Sequence, residues 1–277
     1  MSAGAAAAVL WTGGKDSTLA LFEARRLGLA VSLLVTFVPP GAEFRAHPLA
    51  VIRRQAESLA IAHLEVEIWP PYEPAYRAAL AQLAERQAIG TVVSGDIAAV
   101  DGRPNWIREC AAGTGIEVLT PLWESDRMAL VERVIGLGFE AVFAAVRTPP
   151  LSEAWLGRPL DRASLAELRA LGRTRGLDVA GEQGEYHTVV LDGPLFRQRL
   201  AIEATPTGRL DDLRYVELRS VSLVRKEQAR AEPPGAGRSP ALVLDLGATG
   251  RADAEEGDVV EVWHEAGVAD DGRGELF

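Results

Sequence analysis

Apolar positions in the first 147 residues alternate between short continuous runs and longer stretches with helical spacing. Ala5 to Thr12 is a short apolar run that stops at Thr12-Gly13-Gly14, as a strand stops at a turn. From Ser17 to Leu27 the residues Leu19, Leu21, Phe22 and Leu27 share one broad helical face, which Gly28 closes. Val31 to Val38 is a second, fully buried strand ending at Pro39-Pro40, and Pro48 to Ala60 a helix with proline near its first turn. The alternation continues with a strand at Leu64 to Ile68, a helix at Pro74 to Ala88 and a strand at Thr91 to Ser94. A helix at Trp106 to Ala112, a strand at Glu117 to Leu119, a helix at Ser125 to Gly136 and a last strand at Ala141 to Val146 complete the set.

That alternation predicts an α/β fold with a doubly wound parallel sheet covered by helices on both faces. Right-handed crossovers would bring the ends of the first and fourth strands together at a topological switch point, where a ligand would sit. The pattern changes at Arg147, giving a first domain over 1–147. A helix at Arg162 to Arg175, a strand at Thr188 to Leu191 and paired strands at Leu200 to Ala204 and Tyr215 to Val224 predict a smaller α+β domain over 148–226. Residues 227–277 read as an acidic, flexible tail, in which Leu242 to Leu246 and Val259 to Trp263 would make a late hairpin.

Charge narrows the partners. The net charge of −10 is concentrated at the end: residues 226–277 hold five Lys/Arg against twelve Asp/Glu, leaving the rest nearly neutral. Neither part has the basic surface that broad nucleic-acid binding requires, so none is expected. No run of about 18 apolar residues and no secretory leader is visible, which predicts a cytoplasmic protein without a membrane span. The single cysteine, Cys110, excludes an intrachain disulfide, and the four histidines lack metal-ligand spacing. Of 29 basic residues 27 are arginine, yet one of the two lysines, Lys15, stands in the first glycine-rich turn.

The turn reads Thr12-Gly13-Gly14-Lys15-Asp16-Ser17 between strand and helix. A helix start presents unpaired N–H groups and partial positive charge, and two glycines admit an oxygen-rich ligand without a Cβ in the way. Lys15 adds a full charge, and Thr12 and Ser17 add hydroxyls. Asp16 would repel a bare phosphate but suits one bridged by Mg2+. The spacing is not that of the Walker loop. The same residues could instead form a plain turn with Asp16 or Ser17 capping the helix.

This strand, GGKDS turn and helix start resembles the pyrophosphate loop of the ATP pyrophosphatases. A second segment, Gly181-Glu182-Gln183-Gly184-Glu185-Tyr186-His187-Thr188 followed by Val189 to Phe196, resembles the signature of the diphthine–ammonia ligase family. Ser94-Gly95-Asp96-Ile97, Pro121-Leu122-Trp123 and Leu156-Gly157-Arg158 fall in that family's order, so the resemblance runs over residues 8–200. The stretch Ala98 to Trp106 departs from the tyrosine-rich segment of eukaryotic and archaeal members, and His187 is closer to bacterial ones.

The resemblance implies an adenine nucleotide alpha-hydrolase-like fold and an ATP-dependent amide ligase. A carboxylate would be adenylated with release of pyrophosphate, and ammonia would then displace AMP. Lys15 would stabilise the departing pyrophosphate, with Thr12, Gly13, Gly14 and Ser17 on the phosphates and Asp16 on Mg2+. Thr36 and Phe37 would lie near adenine, and Gly95 and Asp96 would border the reaction centre. Glu182 and Glu185 would hold ammonium, take its proton or orient the acceptor. Gly184, Tyr186, His187 and Thr188 would contact the acceptor, either diphthine on elongation factor two or a small carboxylate. A tRNA-modifying ATP pyrophosphatase and a non-catalytic nucleotide-binding module are the alternative readings, and a homodimer is left open.

Overall fold

Residues 6–41, 44–99, 105–226 and 242–244 are described by this computed structural model. The first strand, β1 (Ala6–Leu10), is followed by α1 (Lys15–Arg26), β2 (Val31–Val38), α2 (Leu49–Leu59), β3 (Ala62–Glu67), α3 (Tyr72–Gln87), β4 (Ile89–Val93), α4 (Trp106–Ala111) and β5 (Glu117–Leu119). The five strands form a parallel sheet in the order β3-β2-β1-β4-β5. β1 therefore lies between β2 and β4, and the chain reverses its direction of travel across the sheet at that point. This is the expected switch point.

Strand pleating explains the double winding, because successive side chains leave a strand on opposite faces. Ala8, Leu33, Val35 and Val92 face α3 and α4, packing with Tyr76, Leu80, Ile107 and Cys110. Val9, Leu34 and Val93 face the other way, into a core with Leu19, Leu21 and Ile52 from α1 and α2. No helix among the described residues is long and apolar enough to cross a membrane.

After α5 (Arg127–Gly136), the chain builds a second sheet from β6 (Glu140–Arg147), β7 (Tyr186–Asp192), β8 (Arg199–Leu210), β9 (Leu213–Val224) and β10 (Leu242–Leu244). Its order is β10-β8-β9-β6-β7, with β6 antiparallel to both β7 and β9. The expected sixth parallel strand is thus corrected: Ala141 to Val146 is a central strand of the second sheet. Its six consecutive buried residues look the same in sequence whichever way the neighbouring strands run. β10, within the first strand of the expected late hairpin, pairs in parallel with β8. Val259 to Trp263 and most of the acidic tail lie outside the described residues.

α6 (Arg162–Arg175) starts on a reciprocal cap between Asp161 and Ser164 and ends at Gly176 with φ +73°. The two sheets share one core. Phe22 of α1 meets Phe139 edge-on at 6.1 Å, and Phe143 of β6 packs edge-on against Trp155 and Tyr186 at 5.1 and 5.0 Å.

Candidate active site

β1 ends where the sheet reverses direction, and its last turn is pinned from behind. Gly13 has φ +78°, and a Cβ there would lie 1.9 Å from Gln55 Oε1, so glycine is required on both counts. Gln55 is fully buried in α2. Its amide nitrogen donates to Gly13 O at 2.9 Å and Val190 O at 2.8 Å, while its oxygen accepts from the Trp11 indole at 3.2 Å. Val190 N donates to Gly13 O at 3.0 Å, and Lys15 N to Thr188 Oγ1 at 3.1 Å. The loop is thereby joined directly to β7 of the second sheet.

Gly14 occupies the N-cap of α1, so neither Asp16 nor Ser17 is its cap, and of the first N–H groups Lys15 N goes to Thr188 Oγ1. The N–H groups of a helix start that are left over can receive a ligand's oxygens. Ser17 Oγ instead donates to Gly14 O and accepts from Thr12 Oγ1, both at 3.3 Å. Lys15 is 5% exposed and its Nζ lies 2.5 Å from Asp16 Oδ2. The ammonium also sits 5.4 Å from the centre of the Tyr186 ring. Burial holds the Asp16 carboxyl above its usual range, with Lys15 pulling the other way.

β4 delivers the next pieces. A Cβ on Gly95 would come within 2.9 Å of Asp16 C and Ser17 N, so the backbone here rests on the loop itself. Asp96, 6% exposed, accepts from Asn105 Nδ2 at 2.5 Å through Oδ2, while Oδ1 is buried with no hydrogen bond among the described residues. Burial first pushes its carboxyl up to about 7; Asn105, Ser94 and the Arg108 charge act in the opposite sense. Burial likewise pushes Glu182 up to about 7, and the charges of Asp16 and Asp96 add to the effect, while Lys15 and Arg127 oppose it.

The two glutamates of the acidic turn differ in their hydrogen bonds. Glu185 Oε1 accepts from Asp178 N at 2.7 Å and Oε2 from Gln183 N at 3.0 Å. Each oxygen is thereby tied to the backbone of the turn and keeps a further lone pair. Tyr186 is also structural, its hydroxyl donating to Val179 O at 2.6 Å and its ring supporting Lys15. Gly184, at φ +80°, lets the turn pass Arg147. His187 meets His47 edge-on at 5.5 Å, and burial followed by the Lys15 charge lowers His47 to about 4, keeping it neutral. At the end of β2, Thr36 Oγ1 donates to Trp11 O at 2.7 Å and contacts His63 Nε2 at 2.8 Å. Phe37 packs on Tyr76 at 4.4 Å.

Among the described residues no group of three or more His, Cys, Asp or Glu could hold a metal ion. Asp16 alone beside the loop fits Mg2+ in the way that ion is commonly held with nucleotides, by one or two carboxylates plus phosphate oxygens and water.

Residues 5–117 match the Diphthamide synthase N-terminal domain and residues 126–224 the Diphthamide synthase C-terminal domain. The chain is 33% identical over 102 residues to the diphthine–ammonia ligase of Danio rerio, covering 36% of this chain and 40% of that protein. It is 31% identical over 91 residues to that of Bos taurus, covering 32% and 34%. These matches span less than half of either relative. A predicted subunit of tRNA methyltransferase from Methanocaldococcus jannaschii aligns with a TM-score of 0.41 and 18% identity, over 68% of this chain and 98% of that one. With both domain models matched in order over most of its described length, the chain belongs to the diphthamide synthase family.

Proposed function

We propose that this chain is an ATP-dependent amide ligase of the diphthine–ammonia ligase type. The observation that carries the reading is the seam between Gly13, Lys15 and β7, which sets the acidic turn beside the phosphate loop. A nucleotide's triphosphate tail would lie on the start of α1, with Lys15 on the oxygens that depart as pyrophosphate. The carboxylate oxygen of the acceptor attacks the α-phosphorus, the bond to pyrophosphate breaks, and an acyl-adenylate forms. Ammonia then attacks the acyl carbon, AMP leaves, and an amide remains. When bound at Asp16, Mg2+ would neutralise charge on the phosphates.

The acceptor is diphthine on elongation factor two or a small carboxylate, received on the side of the second sheet. Such a reaction belongs in the cytoplasm, where ATP and the translation machinery are found. A thiolating tRNA enzyme is the weaker reading, because Cys110 is fully buried and burial pushes its thiol up to about 12, far from a reactive thiolate. The test is product analysis of the full chain with ATP, ammonium chloride and diphthine-bearing elongation factor two or candidate carboxylates. AMP, pyrophosphate and an amide are expected; ADP and phosphate would refute the mechanism.

A further inference from the structure

The carbonyl of Trp11 stands where β1 gives way to the glycine-rich loop, and a side chain holds it. Trp11 N donates to Val35 O at 2.8 Å as the ladder between β1 and β2 closes, whereas Trp11 O accepts from Thr36 Oγ1 at 2.7 Å. Thr36 lies opposite Glu65 in the parallel register of β2 and β3, and His63 is two residues before Glu65, so all three side chains leave the sheet on one face. His63 Nε2 is 2.8 Å from the same hydroxyl oxygen. A carbonyl can only accept, and a hydroxyl has one proton, which Thr36 gives to Trp11 O. His63 must therefore donate to Thr36, which fixes the proton of the neutral imidazole on Nε2. Its Nδ1 is 3.8 Å from Glu65 Oε1, beyond hydrogen-bond reach, and Arg53 of α2 donates to both oxygens of that carboxylate at 2.6 and 2.7 Å. Burial lowers the His63 imidazole below its ordinary value; Glu65 acts upward and Arg53 downward, so the ring is neutral at pH 7.

Resting on the reading above of the loop as the nucleotide's phosphate site, we propose that His63 is a positioning residue for that loop, acting through the Thr36 hydroxyl on the carbonyl of Trp11. Thr36 then serves the loop and not the adenine ring, because its proton is committed to Trp11 O and His63 occupies its oxygen. The peptide bond between Trp11 and Thr12 is planar and trans, so fixing that carbonyl also fixes the direction of the Thr12 N–H and the entry of the chain into Gly13. Gln55 secures the other side of the same turn, accepting from the Trp11 indole and donating to Gly13 O. The loop is thus gripped from two directions, through α2 by Gln55 and through β3 by His63. Without the imidazole N–H, the Thr36 hydroxyl can rotate and turn its proton away from Trp11 O. Loss of one such buried bond corresponds to roughly three- to tenfold in affinity where the bound phosphates must restore the loop's shape.

Long-range proton–nitrogen correlation NMR of the full chain tests the tautomer directly, with the His63 signals assigned by their loss in His63→Gln. Nε2 should be protonated and Nδ1 unprotonated near neutral pH; the opposite tautomer would overturn the proposal whatever the variants do. Calorimetry then compares MgATP with magnesium pyrophosphate, which can reach the loop but carries no base. His63→Leu and Thr36→Val should each weaken both ligands by roughly three- to tenfold. His63→Gln, whose amide can donate to Thr36, should recover part of that loss. The double variant His63→Leu with Thr36→Val should bind no worse than Thr36→Val alone, since the two side chains act in series. A loss confined to ATP, with pyrophosphate held as before, would return Thr36 to the adenine and refute the positioning role. So would additive losses in the double variant, or a glutamine variant as weak as the leucine one. Pyrophosphate ignored by the unaltered chain would end the phosphate-site reading and this inference with it, whereas the expected losses with ADP as product would overturn only the ligase reading.

Discussion

Replacing Asp96 by asparagine should stabilise the protein, and the gain should grow with pH. In the folded chain burial raises the Asp96 carboxyl from 3.8 to about 7. Between those two values the folded state keeps a proton that the unfolded state has lost, so stability falls as pH rises through the window. The rise converts, at about 1.4 kcal/mol per pH unit, into roughly 4 kcal/mol of destabilisation above pH 7. Local relaxation and water entry make that an upper bound. Asparagine cannot ionise, and its oxygen can still accept from Asn105. The expected gain is thus below about 1 kcal/mol near pH 4 and approaches roughly 2–4 kcal/mol at pH 8. At about 2–4 °C per kcal/mol, the melting temperature should rise by roughly 5–10 °C at pH 8. Urea denaturation at several pH values between 4 and 8 provides the measurement. A gain independent of pH, or a loss at pH 8, would show that Asp96 is not held in the way its burial implies.

Lys15→Met removes the buried ammonium beside Asp16, which can then take a proton, so folding should persist. Formation of AMP from ATP should fall at least about a hundredfold, read by single-turnover product analysis. Glu185→Gln turns an amide donor toward one of two backbone N–H groups and should cost about 1–3 kcal/mol in urea denaturation, with acceptor turnover affected through the loosened turn. Gln55→Leu leaves Val190 O and the Trp11 indole N–H without their partner and frees Gly13. ATP binding should weaken by about tenfold or more in calorimetry, corresponding to about 1.4 kcal/mol or more. Unchanged affinity would mean that the loop holds its shape without this amide.

Much of the fold could be read from periodicity. β2, β5 and α6 have the limits that their apolar spacing and end signals predict. β6 could not be assigned to its sheet, because a strand buried on both faces carries no mark of its neighbours' direction. The phosphate loop was legible for a local reason: its glycines, lysine and helix start are contiguous. Gln55 and Asn105 were not. Each is a single polar residue in or beside a helix whose importance depends on a partner outside that helix, Val190 for Gln55 and Asp96 for Asn105. The backbone bonds of Glu185 were equally hidden, since they depend on a chain reversal that aims the carboxylate back at the N–H groups of Asp178 and Gln183.

The bonds from Val190 and Thr188 to Gly13 and Lys15 bear on how the molecule could be divided. A fragment cut after β5 would retain all five parallel strands and the complete glycine-rich motif, yet it would lack the strand that fixes the motif's shape. Nucleotide affinity should therefore be restored only when the missing half is added back as a separate polypeptide that docks along the same line.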